Sequence, residues 1–166
     1  MSFETKDVVS ARGIIIHNGK FLALRRDMQR ERNGGQWEGP GGSVEDTDMA
    51  GYQEIGRPVL KRALLREAFQ EANITLGHIG VFNNVRENIE TDEKGNVTNY
   101  KCEIAVASPL SFAVDLRRNI PAGETPDHDE WCWADLYHPQ LDLTEETESG
   151  LVIAREILER GPLPQF

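Results

Sequence analysis

Apolar and polar positions along this chain fall into two periods. Val8-Val9-Ser10-Ala11-Arg12-Gly13-Ile14-Ile15-Ile16 and Phe21-Leu22-Ala23-Leu24-Arg25 are short, nearly continuous apolar runs. Runs of that length predict strands buried on both faces. His17-Asn18-Gly19-Lys20 lies between them, and an Asn-Gly pair is a strong hairpin signal. Val8 to Arg26 therefore reads as a hairpin, with His17 a turn residue and nothing more. Asp27 to Gln36 is polar and mixed in charge, hence a loop. Val59 to Ala72 reads as a helix, with the residues just before it, Met49 to Pro58, as its leading loop and Pro58 in the first turn. Gly77 to Asn88 is predicted as one strand, Thr91 to Asn96 as a turn, and Val97 to Ser108 as the return strand, where Tyr100, Cys102, Ile104 and Val106 alternate with polar or small residues. Phe82, Asn83 and Asn84 are open to a ligand-facing role, though Phe82 reads more readily as core. No state is assigned to Leu110 to Leu116. Pro121 to Asp127 is a loop, and Asp127 to Leu136 an acidic knot running into an aromatic strand. Leu141 to Arg160 holds a helix with an apolar stripe at Leu151, Ala154, Ile157 and Leu158, a capping pattern at Asp142 and Glu145, and a stop at Gly161-Pro162. Strand hairpin, helix, strands and terminal helix suggest one α/β domain, a mixed β-sheet with helices on both faces.

The 166 residues suit a single domain with a substantial core. Lys and Arg number 18 against 28 Asp and Glu, a net charge of −10. An acidic chain is a poor match for a nucleic-acid polymer, whose phosphates call for clustered cations. A small nucleotide stays open as a partner, because a bound divalent ion offsets phosphate charge. Cys102 and Cys132 lack ligand spacing and read as reduced, structural thiols. No signal peptide is evident and no stretch is long enough to span a membrane, so the expected location is the cytoplasm.

The candidate chemistry lies between Trp37 and Ile74. Trp37-Glu38-Gly39-Pro40-Gly41-Gly42-Ser43-Val44-Glu45 is a glycine-rich turn, where glycine admits positive φ and a close backbone approach. On the following helix Glu67, Gln70 and Glu71 project together, being three and four positions apart. Two carboxylates and an amide oxygen suit a hard cation such as Mg²⁺. Alone, the acidic face reads as a solvated helix surface. Its pairing with the glycine turn favours a metal site, with Gly42 able to add a carbonyl oxygen.

These residues resemble the Nudix box, whose pattern is Gly, five residues, Glu, seven residues, then Arg-Glu-apolar-x-Glu-Glu-x-Gly-apolar. Gly42 takes the first place and Arg66-Glu67-Ala68-Phe69-Gln70-Glu71-Ala72-Asn73-Ile74 the last run. The Trp37-Glu38-x-Pro40-Gly41-Gly42 lead-in is similar to that of MutT-type members. Four departures stand out. Asp48 replaces the Glu after the five-residue gap, ten residues (Met49 to Pro58) are inserted, Gln70 replaces the first Glu of the pair, and Asn73 replaces the final Gly. Asn is the usual substitute for Gly at a left-handed helix end. Gln70 removes a negative charge, which predicts weaker metal binding or one metal fewer.

The resemblance implies a Nudix-type α/β/α sandwich and a Mg²⁺-dependent (Mn²⁺ possible) hydrolase of nucleoside diphosphate-linked compounds, first of all a MutT-like pyrophosphohydrolase of (deoxy)nucleoside triphosphates. The other readings are a dinucleotide or nucleotide-sugar pyrophosphatase and a nucleotide-binding domain without catalysis. Gly42, Glu67, Gln70 and Glu71 would hold metal, and Glu67 or Glu130 would take the proton from water. Glu130, or next Asp129, matches the family's acidic residue before a Trp-containing strand. Arg66 would anchor the loop on an acid such as Glu45. Arg25, Trp37 and Glu38 are candidate substrate contacts. Arg25 reads equally as a salt-bridged strand end, and Trp37 as a loop anchor. His128 is expected to be solvent-exposed. A homodimer follows from family habit alone.

Overall fold

The computed structural model describes residues 2–163. Its elements are β1 (Thr5–His17), β2 (Lys20–Arg26), β3 (Trp37–Glu38), β4 (Gly41–Ser43), α1 (Arg57–Ala72), β5 (Leu76–Ile79), β6 (Asn83–Thr91), β7 (Val97–Pro109), β8 (His128–Asp135) and α2 (Glu145–Glu159). The strands form one mixed sheet in the order β3-β2-β1-β7-β5, with β4 on β1, β6 on β7 and β8 on β2. Among the described strand pairs, β1 with β7 is parallel and the others are antiparallel.

The predicted hairpin is present but short. Asn18 and Gly19 have φ of 50° and 71°, as a tight two-residue turn requires. The pairing then covers only Ile16 with Phe21 and His17 with Lys20. Beyond that point β2 leaves to pair with β8, while β1 takes β7 along one edge and β4 along part of the other. The alternation of β1 divides the core. Ala11 and Ile15 enter the cluster with Ala63, Leu64 and Ala68 of α1; Ile14 and Ile16 enter the cluster with Leu151 and Ala154 of α2. The helices thus cover opposite faces, and the expected α/β/α sandwich is observed.

Four local expectations change. The strand predicted over Gly77 to Asn88 is two strands, both on one edge of β7, because the chain breaks at Gly80, whose N–H donates to the Val106 carbonyl at 2.9 Å. The cap of α2 is Thr144 rather than Asp142, and its hydroxyl accepts from the Thr147 N–H. Asp142 is engaged elsewhere: its carbonyl accepts from the Trp37 N–H and its carboxylate from Gln36. His17 does more than turn, since it ends β1 and its ring lies 4.2 Å from that of Phe112. Leu110 to Leu116, left unassigned, forms no regular element; it runs across the end of α1, with the Asp115 N–H donating to the Ala72 carbonyl. Phe82 packs partly buried against the core, as expected. Both cysteines are free thiols, and no described helix is long and apolar enough to cross a membrane.

Candidate active site

Helix α1 begins with Pro58 in its first turn and ends at Asn73 in the left-handed conformation (φ 57°), both as predicted. Its apolar residues Val59, Leu60, Ala63, Leu64, Ala68 and Ala72 are buried, and Glu71 is buried with them. A carboxylate in that position needs partners. The Glu71 Oε1 accepts from the Gly41 N–H at 2.8 Å, and Oε2 lies 2.9 Å from His128 Nδ1. One turn back, Glu67 stands against Gly42 so closely that a Cβ there would lie 2.5 Å from Glu67 Oε1.

The glycines therefore serve close approach. None of Gly39, Gly41 and Gly42 has positive φ, contrary to one half of the expectation. A Cβ at Gly39 would meet the Gly13 carbonyl oxygen at 2.0 Å, and one at Gly41 the Ala11 carbonyl oxygen at 2.5 Å. Gly41 and Gly42 lie in a short strand laid on β1, where neighbouring atoms leave no room for a Cβ at either.

Arg66 holds the inserted loop. Its guanidinium donates to both oxygens of Asp48 at 3.1 and 2.9 Å, to Glu67 Oε1 at 2.7 Å and to the Ser43 carbonyl at 3.0 Å, with Glu45 3.3 Å away. The expected anchor is real, but its main partner is Asp48, the residue that replaces the pattern's Glu. Asp48 is buried and also accepts from the Glu45 N–H. Gln70 reaches only Arg66, at 3.4 Å.

His128 reverses its expectation. It is 4% exposed and lies between two carboxylates, with Nε2 3.0 Å from Glu38 Oε1 and Nδ1 2.9 Å from Glu71 Oε2. A neutral ring has one acceptor nitrogen, which would face an anionic oxygen; the doubly protonated ring donates at both ends. Burial opposes that charge, but Glu71 and Glu38 outweigh it and raise the pKa to about 9. Glu38 continues the chain: Oε2 is 3.2 Å from Arg12 and Oε1 3.1 Å from Arg26. Burial opposes its ionisation too, yet Arg12 and His128 hold it down to about 2. Arg12 also donates to the Gly39 carbonyl at 2.6 Å. The hydrophilic run Asp127-His128-Asp129-Glu130 conceals this placement. A register shift in β2 between Arg25 and Arg26, opposite Glu130 and His128, breaks simple alternation there.

Glu67 is pushed up to about 7, first by burial and then by the charge of Glu71, against the pull of Arg66. These values give the metal-free protein a defined pH profile. Glu67 binds its proton more tightly folded than unfolded, so its contribution is lost as pH rises from about 4.5 to about 7. His128 behaves likewise, losing its contribution between about 6.5 and about 9. Glu38 has the opposite sign, stabilising above about 4.5 and failing as pH falls toward 2. Thermal melts in chelator are expected to peak near pH 5 and to fall by on the order of 10 °C by pH 9.5. A melting temperature that is flat or rises between pH 6 and 9 contradicts the charged assignment of His128.

Glu71, Gly41, Gly42 and Ser43 stand at one end of a cavity of about 320 Å³. Arg12, Arg26, Arg32, Arg86 and Lys101 also line it, together with Glu38, Asp127 and Glu146. Five cations thus share one hollow with four carboxylates, Glu38, Glu71, Asp127 and Glu146, in a lining of mixed charge. A larger hollow of about 640 Å³, between β5, β6 and α2, has neither the glycine strand nor the paired carboxylates of α1.

The predicted site residues separate into two groups. Gly42, Glu67, Gln70 and Glu71 come together at the glycine strand, and Glu38 adjoins them through His128. Arg25, Trp37 and Glu130 form a second group that does not line the cavity. Arg25 pairs with Glu130 at 2.9 Å and Asp129 at 2.7 Å, and its guanidinium lies 6.0 Å from the centre of the Trp37 ring. Arg12 and His128 were missed as site residues; Arg12 sits within an apolar run and offered no motif.

The residues fit a hard divalent ion on chemical grounds. Among the described residues no group of three or more His, Cys, Asp or Glu side chains forms a ready-made cage. Two crowded carboxylates, Glu67 and Glu71, are nonetheless hard oxygen donors of the kind Mg²⁺ accepts, since it keeps waters and substrate phosphates in its shell.

The sequence profile of the NUDIX domain matches residues 8–155. No curated protein matches the chain. Among solved structures, the MutT NUDIX hydrolase from Burkholderia pseudomallei is 22% identical, with a TM-score of 0.61 over 89% of this chain and 97% of that one. The NUDIX domain of Shewanella oneidensis NrtR, complexed with ADP ribose, is 17% identical, with a TM-score of 0.53 over 95% and 90%. A bifunctional NMN adenylyltransferase/ADP ribose pyrophosphatase from Francisella tularensis, complexed with AMP and a Mn ion, is 18% identical, with a TM-score of 0.55 over 95% of this chain and 43% of that one. At these identities the likenesses speak for the fold. The family follows from the profile, which spans nearly the whole chain: this protein belongs to the NUDIX domain family.

Proposed function

We propose that the chain hydrolyses nucleoside diphosphate-linked compounds with Mg²⁺, and (deoxy)nucleoside triphosphates first among them, releasing pyrophosphate. The observation that carries this reading is the pair Glu67 and Glu71 closed onto the glycine strand, with Glu71 lining a cavity that also holds Arg12, Arg26, Arg32 and Arg86. Glu67 and Glu71 would hold the ion, with the Gly42 carbonyl and the Gln70 amide oxygen as further oxygens. When bound, the ion neutralises charge that develops on the phosphates and lowers the pKa of water.

The remaining roles belong to side chains. Arg26, Arg32 and Arg86 meet the phosphates from the cavity wall. Glu67, standing close against Gly42, is the candidate to take a proton from water, as a positioned carboxylate can. Glu130, paired with Arg25 at 2.9 Å, is the alternative base; neither it nor Glu67 lines the cavity. His128 keeps Glu71 oriented from behind.

The test is a substrate panel with phosphorus-resolved products. Mg²⁺-dependent pyrophosphate release from at least one triphosphate is expected, and turnover of none removes the reading. Nucleotide-sugar diphosphates belong in the same panel. They need the same machinery with a different pocket, and the NrtR domain of like fold is complexed with ADP ribose. Gln70→Glu restores the missing charge of the motif. It is expected to tighten Mg²⁺ by about tenfold, the lower range for altering groups around a metal. Calorimetric titration reads this directly, and unchanged affinity places Gln70 outside the shell.

A further inference from the structure

Glu38 stands at the cavity with Glu71, yet its carboxylate is taken up by the protein itself. Oε2 lies 3.2 Å from Arg12, and Oε1 faces both Arg26 at 3.1 Å and His128 Nε2 at 3.0 Å. The side chain is buried. A residue that grips substrate needs an exposed polar atom, and Glu38 presents almost none. Its contacts lead the other way, through the ring of His128 to Glu71 Oε2 at 2.9 Å.

The strands fix this line. β2 lies between β3 and β8, with Glu38 opposite Leu24 on one side and His128 opposite Arg26 on the other. Glu71 reaches the same ring from α1. An imidazole is rigid and planar, and its two nitrogens point apart, so holding one end aims the other. Glu38 is in turn held by Arg12, which also donates to the Gly39 carbonyl. At the near end Glu71 Oε1 accepts from the Gly41 N–H. Each Glu71 oxygen thus spends one lone pair on the protein and keeps another for an ion. The plane of that carboxylate is set by the protein alone.

We infer that Glu38 is a positioning residue of the metal site: acting through His128, it holds the Glu71 carboxylate in the plane that takes a divalent ion. The sequence made Glu38 a candidate substrate contact; its three buried cationic partners and the ring between it and Glu71 support this other role. Groups that orient a metal ligand from behind set affinity or activity by about 10- to 100-fold. The inference rests on the metal reading of Glu67 and Glu71 above and deepens it.

Mg²⁺ calorimetry on the full chain reads the effect without turnover. Glu38→Gln keeps the shape and an acceptor for the ring but loses the charge. His128→Gln replaces two divergent donors with one. Each is expected to weaken Mg²⁺ by at least about tenfold. The double variant should match His128→Gln alone, because Glu38 acts through the ring; a residue that only braces the fold has no reason to behave so. At saturating Mg²⁺ the nucleotide KM of Glu38→Gln should stay within about threefold of the parent, where a substrate contact would raise it. Circular dichroism at the titration temperature confirms that the variants are folded. If either is not, NMR of the parent chain with labelled histidine takes its place: the His128 ring signals should shift saturably when Mg²⁺ alone is added. Unmoved ring signals, Mg²⁺ affinity unchanged in Glu38→Gln, losses that add in the double variant, a raised KM with Mg²⁺ affinity intact, or a parent chain that binds no Mg²⁺ overturns the inference. Weakened Mg²⁺ in variants of a chain that turns over no triphosphate leaves it standing and removes the proposed reaction. Turnover with Mg²⁺ affinity indifferent to Glu38 does the reverse.

Discussion

Glu71→Gln is expected to lower kcat/KM by about a thousandfold, the scale of removing one charge-stabilising group from a catalytic site. The reason is position. Glu71 is the buried carboxylate of α1, fixed from both sides by the Gly41 N–H and His128. An amide of the same shape keeps one acceptor for Gly41 but brings no charge to an ion. The fold should survive with a melting temperature lower by only a few degrees, because His128 retains Glu38 as a partner. Steady-state kinetics and a Mg²⁺ titration on the same preparation decide it. Turnover within threefold of the parent chain, with Mg²⁺ affinity intact, would place the metal away from this helix.

The largest effect on stability is expected at Glu38. Its carboxylate faces Arg12, Arg26 and His128, and it is 3% exposed. Removing one partner of a buried ionic cluster leaves the rest desolvated and uncompensated, at about 3–5 kcal/mol. For a chain of this size Glu38→Ala should therefore melt lower by about 10 °C. Glu130→Ala is the control. Its pair with Arg25 lies on the surface, with the Glu130 side chain 52% exposed, and pairs of that kind contribute less than about 1 kcal/mol. Differential scanning calorimetry separates the two. If Glu38→Ala melts within 3 °C of the parent, the buried cluster is not what holds β1, β3 and β8 together.

Local signals carried much of this architecture. Asn18-Gly19 marks its turn because both residues must take positive φ, and Asn73 marks the end of α1 for the same reason. Helical spacing alone sets Glu67 and Glu71 on one face, and the motif pairs Gly42 with them. What stayed hidden depends on contacts between distant segments. His128 looks hydrophilic in its own run, and only the meeting of β8 with β3 and α1 buries it between Glu38 and Glu71. Glu38 could be suspected from its motif position, but its three cationic partners lie on β1, β2 and β8. Thr144 rather than Asp142 caps α2 because the Asp142 backbone is already bonded to Trp37. The break at Gly80 follows from the edge of β7, which accepts two partners in succession.

The Arg66–Asp48 clamp has a consequence for how the chain can be lengthened. The two residues close a loop whose ends are held by a buried ion pair, while Gly51 inside it has φ of 84° and nothing within 4 Å of where a Cβ would stand. Doubling the length of a closed flexible loop adds only about 0.6 kcal/mol of closure entropy. Segment size at this point is thus decoupled from the chemistry beneath it. Gly51 is a natural splice point for a tag, a fluorophore-bearing peptide or a whole inserted module.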